Sequence, residues 1–295
     1  MSEERAPVDA IAVGVMLLLT ALWGFQQVTV KWIAADVPLV MQAALRSTIA
    51  TVLLVCWARL RGVALFGADG TGRAGLAAGL LFAGEFVFIY AGLAHTNASR
   101  MSVFVYLAPP LTALGLHFFV AGERLGARQW LGVSLAFGGL VLAFAEGLSA
   151  GRSTWIGDLC GLAAAALWAA TTVLIRATGL ARASAAKTLF YQLAVSALVL
   201  PIASFLLGEK GVTAVDGRVL ASLAYQGIVV AFASYLAWFW LLTRYLAARI
   251  SVLSFLTPLF GMLSGVVFLS EPLSAHFAAA ALLIAAGIAL VNFRR

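Results

Sequence analysis

The chain reads as long apolar runs separated by short polar connections. Ten runs stand out, at 10–35, 38–58, 74–94, 98–120, 127–146, 154–178, 184–207, 217–243, 249–270 and 274–293. None alternates strictly between apolar and polar residues, and each has the length, about 20 residues, that a helix needs to cross a bilayer. Backbone groups in lipid must be satisfied within a helix or a closed barrel, so these runs predict membrane-spanning helices. The longest connections, RLRGVALFGADGTGR (59–73) and GEKGVTAVDG (208–217), hold charge and turn residues. An all-α integral membrane protein with ten transmembrane helices is expected.

Composition agrees. Of 295 residues, 63% are apolar and 11% charged, with a mean hydropathy of +1.03; a soluble domain is about 25% charged. Ten spans leave no room for a soluble domain. The leader MSEERAPVD is mixed in charge and the run behind it too long for a signal peptide, so it is expected to stay in the membrane. Cys56 and Cys160 stand far apart in apolar runs and read as small hydrophobes.

The net charge of +7 would suggest nucleic acid in a soluble protein; here it fits basic residues held at one membrane face. With the N-terminus inside, inner segments carry Arg5, Arg59, Arg61, Arg73, Arg124, Arg128, Arg176, Arg182, Lys187, Arg244, Arg249, Arg294 and Arg295. Outer segments carry Lys31, Arg100, Arg152, Lys210 and Arg218, and Arg46 lies within a span. Thirteen against five predicts that both termini are cytoplasmic.

The halves repeat. ALWGFQQVTVKW (21–32) matches ALWAATTVLIRA (166–177), pairing Trp23 with Trp168 and Lys31 with Arg176 at an offset of 145. SRMSVFVYLAPPLTAL (99–114) matches ARISVLSFLTPLFGML (248–263), pairing Ser102 with Ser251 and Pro109 with Pro258 at 149, and Glu123 matches Glu271 at 148. The repeats are set at 1–148 and 149–295. Five spans is an odd number, so the second copy enters the membrane inverted. Inverted repeats characterise many secondary transporters, whose substrate site lies at the repeat interface near the midplane. A duplication with no transport role is the bland alternative.

The five-plus-five topology, the ALWG and ALWA openings and the S-V-x-x-x-L-x-P helices followed by Glu resemble the EamA-type branch of the drug/metabolite transporter superfamily. Within it the chain is most similar to bacterial exporters of aromatic and other neutral amino acids. The resemblance implies a multi-pass inner-membrane protein, a monomer, that exports a small molecule by alternating access, without cofactor, metal, ATP or nucleic acid.

Ionisable side chains deep in a span are costly and mark function or pairing. Arg46 sits eight residues inside the second run and Glu85 nine from the outer end of the third, which at about 1.5 Å per residue is roughly 12–14 Å deep for both. They either line a cavity and meet the two ends of a zwitterionic amino acid, or pair with each other between helices. Trp23 and Trp168 occupy repeat-related places away from the interfaces, followed within a turn by Gln26, Gln27, Thr171 and Thr172. That composition suits an apolar pocket with a few oriented polar contacts, or interhelical packing with polar glue.

Phe82, Phe86 and Tyr90 share one helix face, as do Tyr235, Trp238 and Phe239. Tyr106, Tyr191 and Gln192 are weaker candidates. The expected substrate-binding set is Trp23, Gln27, Arg46, Glu85, Phe86, Tyr90, Trp168, Thr172, Tyr191 and Trp238. Pro109, Pro110 and Pro258 should break the fourth and ninth helices at matched places. GLARASAAKT (179–188) lacks the glycine spacing of a phosphate loop, and His95, His117 and His276 lack a metal spacing. A lipophilic cation or polyamine is the alternative cargo, with Glu85 then essential. An intramembrane enzyme or sensor subunit is the alternative of another class.

Overall fold

The computed structural model describes residues 6–67, 69–145, 148, 155–270 and 276–292. Ten helical spans run through these residues. The first repeat holds α1 (Ala10–Trp32), α2 (Leu39–Leu60), α3 (Gly72–Leu93), a broken span of α4 (Ala98–Val105) and α5 (Ala108–Phe119), and α6 (Ala127–Ala143). The second holds α7 (Trp155–Ala177), α8 (Ala185–Leu206), a span of α9 (Gly217–Ala224), a π-helical stretch (Tyr225–Ser234) and α10 (Tyr235–Arg244), then α11 (Ala247–Leu253) with α12 (Leu256–Leu269), and α13 (Phe277–Asn292). Eight spans are long and apolar enough to cross a membrane. The other two, α6 and α13, are shorter, at 17 and 16 residues.

Local chemistry sets where the spans start and break. Asp9, Asn97, Ser184 and Asp216 each accept a backbone N–H from three residues on, at 2.8–3.2 Å, satisfying donors that a helix start leaves open. Proline has no N–H and clashes with the preceding turn. The fourth span breaks at Tyr106–Leu107, just before Pro109 and Pro110, and the ninth at Ser254–Phe255, just before Pro258. The matched breaks expected from the sequence are present. The π-helical stretch has no proline, and the sequence reading missed it. Wider turns of this kind are rare and cluster at functional sites.

The halves interlock rather than sit side by side. α1 packs on α12 while α7 packs on α5; α3 lies against α7 and α8 while the π-helical stretch lies against α1 and α2. The two-fold relation also pairs α2 with α8 and α6 with α13. Small residues allow the closest crossings. A Cβ on Gly132 would stand 2.6 Å from the Gly287 carbonyl oxygen, and a Cβ on Gly287 2.5 Å from that of Gly132. Large apolar side chains such as Leu60, Phe118, Phe205, Val267 and Leu282 cover the outside of the bundle, as a protein solvated by lipid requires.

On the face that carries the N-terminus, the Lys187 ammonium lies 2.6 Å from an Asp69 carboxylate oxygen, and the Tyr245 hydroxyl donates to Asp9 at 3.0 Å. Lys187 and Thr71 together hold the Asp69 carboxyl well below the usual carboxylate range. On the far face Arg100 forms two 2.6 Å bonds with Asp158, and Glu209 accepts from Val40 and Met41 at the start of α2. Arg5, Arg152, Arg294, Arg295 and Glu271 lie outside the described residues.

Candidate functional site

The halves enclose a cavity of about 330 Å³, lined by α1, α2, α3, α4, α7, α8, α10 and the start of α12. At the far face its lining reaches the exposed Lys31 and Ala98. Towards the N-terminal face it ends on Ile175, Gln192 and Phe239, all buried. The cavity is open at the far face and closed at the other.

Three charged side chains line it: Lys31 at the far-face rim, and Arg46 and Glu85, which are buried and do not pair with each other. Arg46 is 2% exposed, and its Nε and Nη2 have no hydrogen-bond partner. The guanidinium lies over the Phe86 ring, 4.4 Å from its centroid. Glu85 is 7% exposed; among the described residues it makes no hydrogen bond and no ion pair with Arg46 within 4 Å. The interhelical salt bridge weighed from the sequence is therefore not formed. A buried guanidinium with unused donors is costly, and the arrangement suits an anionic group entering the cavity.

Aromatic rings make most of the wall. Trp23 meets Tyr235 and Trp238 edge-on at 6.2 and 5.9 Å, and its Nε1 donates to Ser234 Oγ at 2.8 Å. That bond comes from the last residue of the π-helical stretch. The stretch is also tied down by Tyr225, donating to the Leu22 carbonyl, and by Gln226, donating to Gln42. The repeat-related Trp168 meets Tyr106 edge-on at 5.8 Å. Phe82 packs on Phe86, and Phe86 stacks with Tyr90. Edge-on pairs at these separations are favourable beyond the area they bury.

Trp23, Gln27, Arg46, Glu85, Phe86, Tyr90, Trp168, Thr172 and Trp238 all line the cavity. Tyr191 does not. Its ring sits in the notch that Gly75 leaves in α3, and its hydroxyl lies 3.2 Å from Thr71 Oγ1. The next residue, Gln192, turns about 100° round the helix and lines the cavity in its place, with Nε2 unpartnered. Gln26, Thr171, Phe82, Tyr106, Tyr235 and Phe239 line it as well. Lys31, counted from the sequence as a loop charge, and Thr257 were missed as lining residues. Only the offset pairing of Lys31 with Arg176 hinted that this position mattered.

Below the closed end lies a buried clasp that the sequence reading saw only as a mark of the repeat. Glu123, 2% exposed, accepts from Arg176 Nε at 2.9 Å and from Arg176 Nη2. It also accepts from the backbone N–H groups of Ala247 and Ala248, at 3.1 and 3.2 Å, at the start of α11. One carboxylate of the first repeat thus ties two helices of the second.

A bundle of inverted five-span repeats around a one-sided polar and aromatic cavity defines an integral membrane transporter. The chain belongs to the EamA-like transporter family, which matches twice, at residues 10–145 and 155–293. It is 27% identical over 282 residues to a probable amino-acid metabolite efflux pump of Salmonella typhimurium, covering 92% of this chain and 91% of the relative. A protein of the same description from Escherichia coli is 25% identical over 282 residues, with the same coverage of 92% and 91%. A solved crystal structure superimposes with a TM-score of 0.82 at 23% identity, over 96% of this chain and 98% of that one, and so shares the fold.

Proposed function

We propose that this transporter exports amino acids with aromatic or other apolar side chains across the bacterial inner membrane by alternating access. The observation that carries this reading is Arg46 and Glu85, opposite in charge, more than nine-tenths buried, unpaired with each other and facing one aromatic cavity. Arg46 takes the carboxylate, a planar fork meeting a planar anion, and Glu85 takes the ammonium. The apolar side chain lies among Trp23, Phe82, Tyr106, Trp168, Tyr235 and Trp238. The efflux-pump relatives support an amino-acid cargo.

The excess of Arg and Lys on the N-terminal face supports a cytoplasmic location for both termini. The cavity is then open to the outside and closed to the cytoplasm. The units that rock are the two repeats, with their boundary at 148/149, in a monomer. A lipophilic cation fits the aromatic wall and Glu85 but meets repulsion from Arg46, so it is the weaker cargo.

The test is efflux of radiolabelled phenylalanine from proteoliposomes. Arg46→Ala and Trp168→Ala are expected to lose at least nine-tenths of the flux, while Tyr191→Phe, away from the cavity, retains it. Wild-type flux in both cavity variants, purified as folded protein, overturns the site.

A further inference from the structure

Glu85 has a second consequence for transport. Its carboxylate has no hydrogen-bond partner among the described residues, yet it is 7% exposed and lines the cavity. Among the described residues, nothing on α3 or its neighbours satisfies it. A buried carboxylate in that position binds whichever cation arrives, and two are available: the ammonium of the substrate and a proton from water.

The groups around it leave the choice to those two. Arg46 on α2 and Lys31 near the far-face end of α1 are the cations that face the same cavity, and Arg46 is the buried one. Tyr90 on α3 itself, Tyr106 at the break between α4 and α5, and Tyr235 on α10 lie within electrostatic range. α7 brings Cys160 against Gly92, about two turns from Glu85 towards the far face. α8 brings Tyr191 against Gly75, with Lys187 one turn earlier held by Asp69, at the opposite end of α3. At the far-face end, Arg100 of α4 is held by Asp158. None of these supplies Glu85 with a bonded cation.

We propose that Glu85 couples export to protons because the substrate ammonium and a proton compete for its carboxylate. The inference rests on the reading that amino acids bind between Arg46 and Glu85. With Glu85 ionised, its charge balances that of Arg46, and the buried pair accepts a zwitterion. When the amino acid leaves to the outside, a proton from outer water takes its place on the carboxylate. The protein returns with Glu85 neutral, and the proton is released to the cytoplasm as the next ammonium binds. One neutral zwitterion leaves for each proton that enters, so each cycle moves one positive charge inward.

Proteoliposomes with radiolabelled phenylalanine separate the inference from the reading beneath it. Counterflow exchange at equal pH tests substrate binding alone; its absence in the wild type overturns both. With counterflow present, an imposed pH gradient is expected to drive phenylalanine towards the more acidic compartment, against its own gradient, and a membrane potential positive on the compartment that phenylalanine enters is expected to do the same. Apparent affinity is expected to fall towards tenfold per pH unit on acidification, the limit for one competing proton. Glu85→Gln is expected to abolish gradient-driven accumulation and the pH slope, and Glu85→Asp to keep both. Robust counterflow with no response of the wild type to either gradient overturns the coupling and leaves the binding reading intact. So does a Glu85→Gln protein that still accumulates phenylalanine under a pH gradient.

Discussion

The Glu123 clasp allows the sharpest prediction about stability. Glu123→Gln keeps the shape of the side chain but removes its charge and turns one acceptor oxygen into a donor. Arg176, with its side chain 6% exposed, then keeps its own charge without a counter-ion. The same change sets an NH2 group against the guanidinium or against the N–H groups of Ala247 and Ala248. Breaking one partner of a buried pair costs about 3–5 kcal/mol. The surviving carbonyl oxygen still accepts one of these bonds, which places the loss near the lower end, about 3 kcal/mol. A chain of this size loses about 2 °C of melting temperature per kcal/mol, so the expected shift is about −6 °C.

The assay is thermal unfolding in detergent, read by tryptophan fluorescence and by the monodisperse fraction on size exclusion. Replacing both partners with apolar residues, Glu123→Met with Arg176→Met, removes the unpaired charge and should recover most of the loss, because a packed apolar pair is often neutral relative to a buried salt bridge. A single variant that melts within 1 °C of wild type would refute the argument. So would a double variant no better than the single one, since the cost would then not come from the stranded charge.

Two further outcomes follow from packing and from the loop charges. Gly132→Val should separate α6 from α13, because its Cβ meets the Gly287 carbonyl oxygen at 2.6 Å; the loss is about 1–3 kcal/mol or more. Gly138→Ala on the same helix meets nothing within 4 Å and should be neutral or slightly stabilising in the same melts. The Asp69 carboxyl titrates lower when folded than its ordinary value of 3.8. The stability it contributes is therefore full above that value and lost as pH falls towards the depressed one. Asp69→Asn should flatten the acid limb of melting temperature against pH, and an unchanged limb would show that the Lys187 link is not felt.

What the sequence made legible is what lipid imposes. A helix that must satisfy its own backbone in hydrocarbon announces itself by length and apolarity, and Pro109, Pro110 and Pro258 announced the two matched breaks. The matched stretches around Trp23 and Trp168 reported the duplication, and Arg46 and Glu85 stood out because charge within a span is rare. Orientation about each helix axis was harder. α8 is apolar nearly all round, so no stripe distinguishes Tyr191 from Gln192, and only the notch at Gly75 decides between them. The π-helical stretch left no mark in residue type. Glu123 read only as a mark of the repeat, and Arg176 and Lys187 counted as charges of the inner face, because burial of a charge depends on partners far along the chain.

The frame is two-fold but its charges are not. At offsets of 145–149, Arg46 falls on positions 191–195 and Glu85 on 230–234, where the residues are YQLAV and VAFAS. Neither stretch carries an acid or a base of comparable strength. Both buried charged groups come from the first repeat and sit about 11–12 Å in from the far-face ends of their helices, while the unpartnered Gln192 amide marks the closed end. A symmetric cavity would accept a substrate in either of two opposed poses. The buried Arg46 and Glu85 remove that degeneracy: a zwitterion bound as proposed would hold its polar head towards the far face and its side chain among the tryptophans of both repeats. Duplication supplies the frame of the cavity, and the asymmetry of two residues would give a substrate bound as proposed a direction.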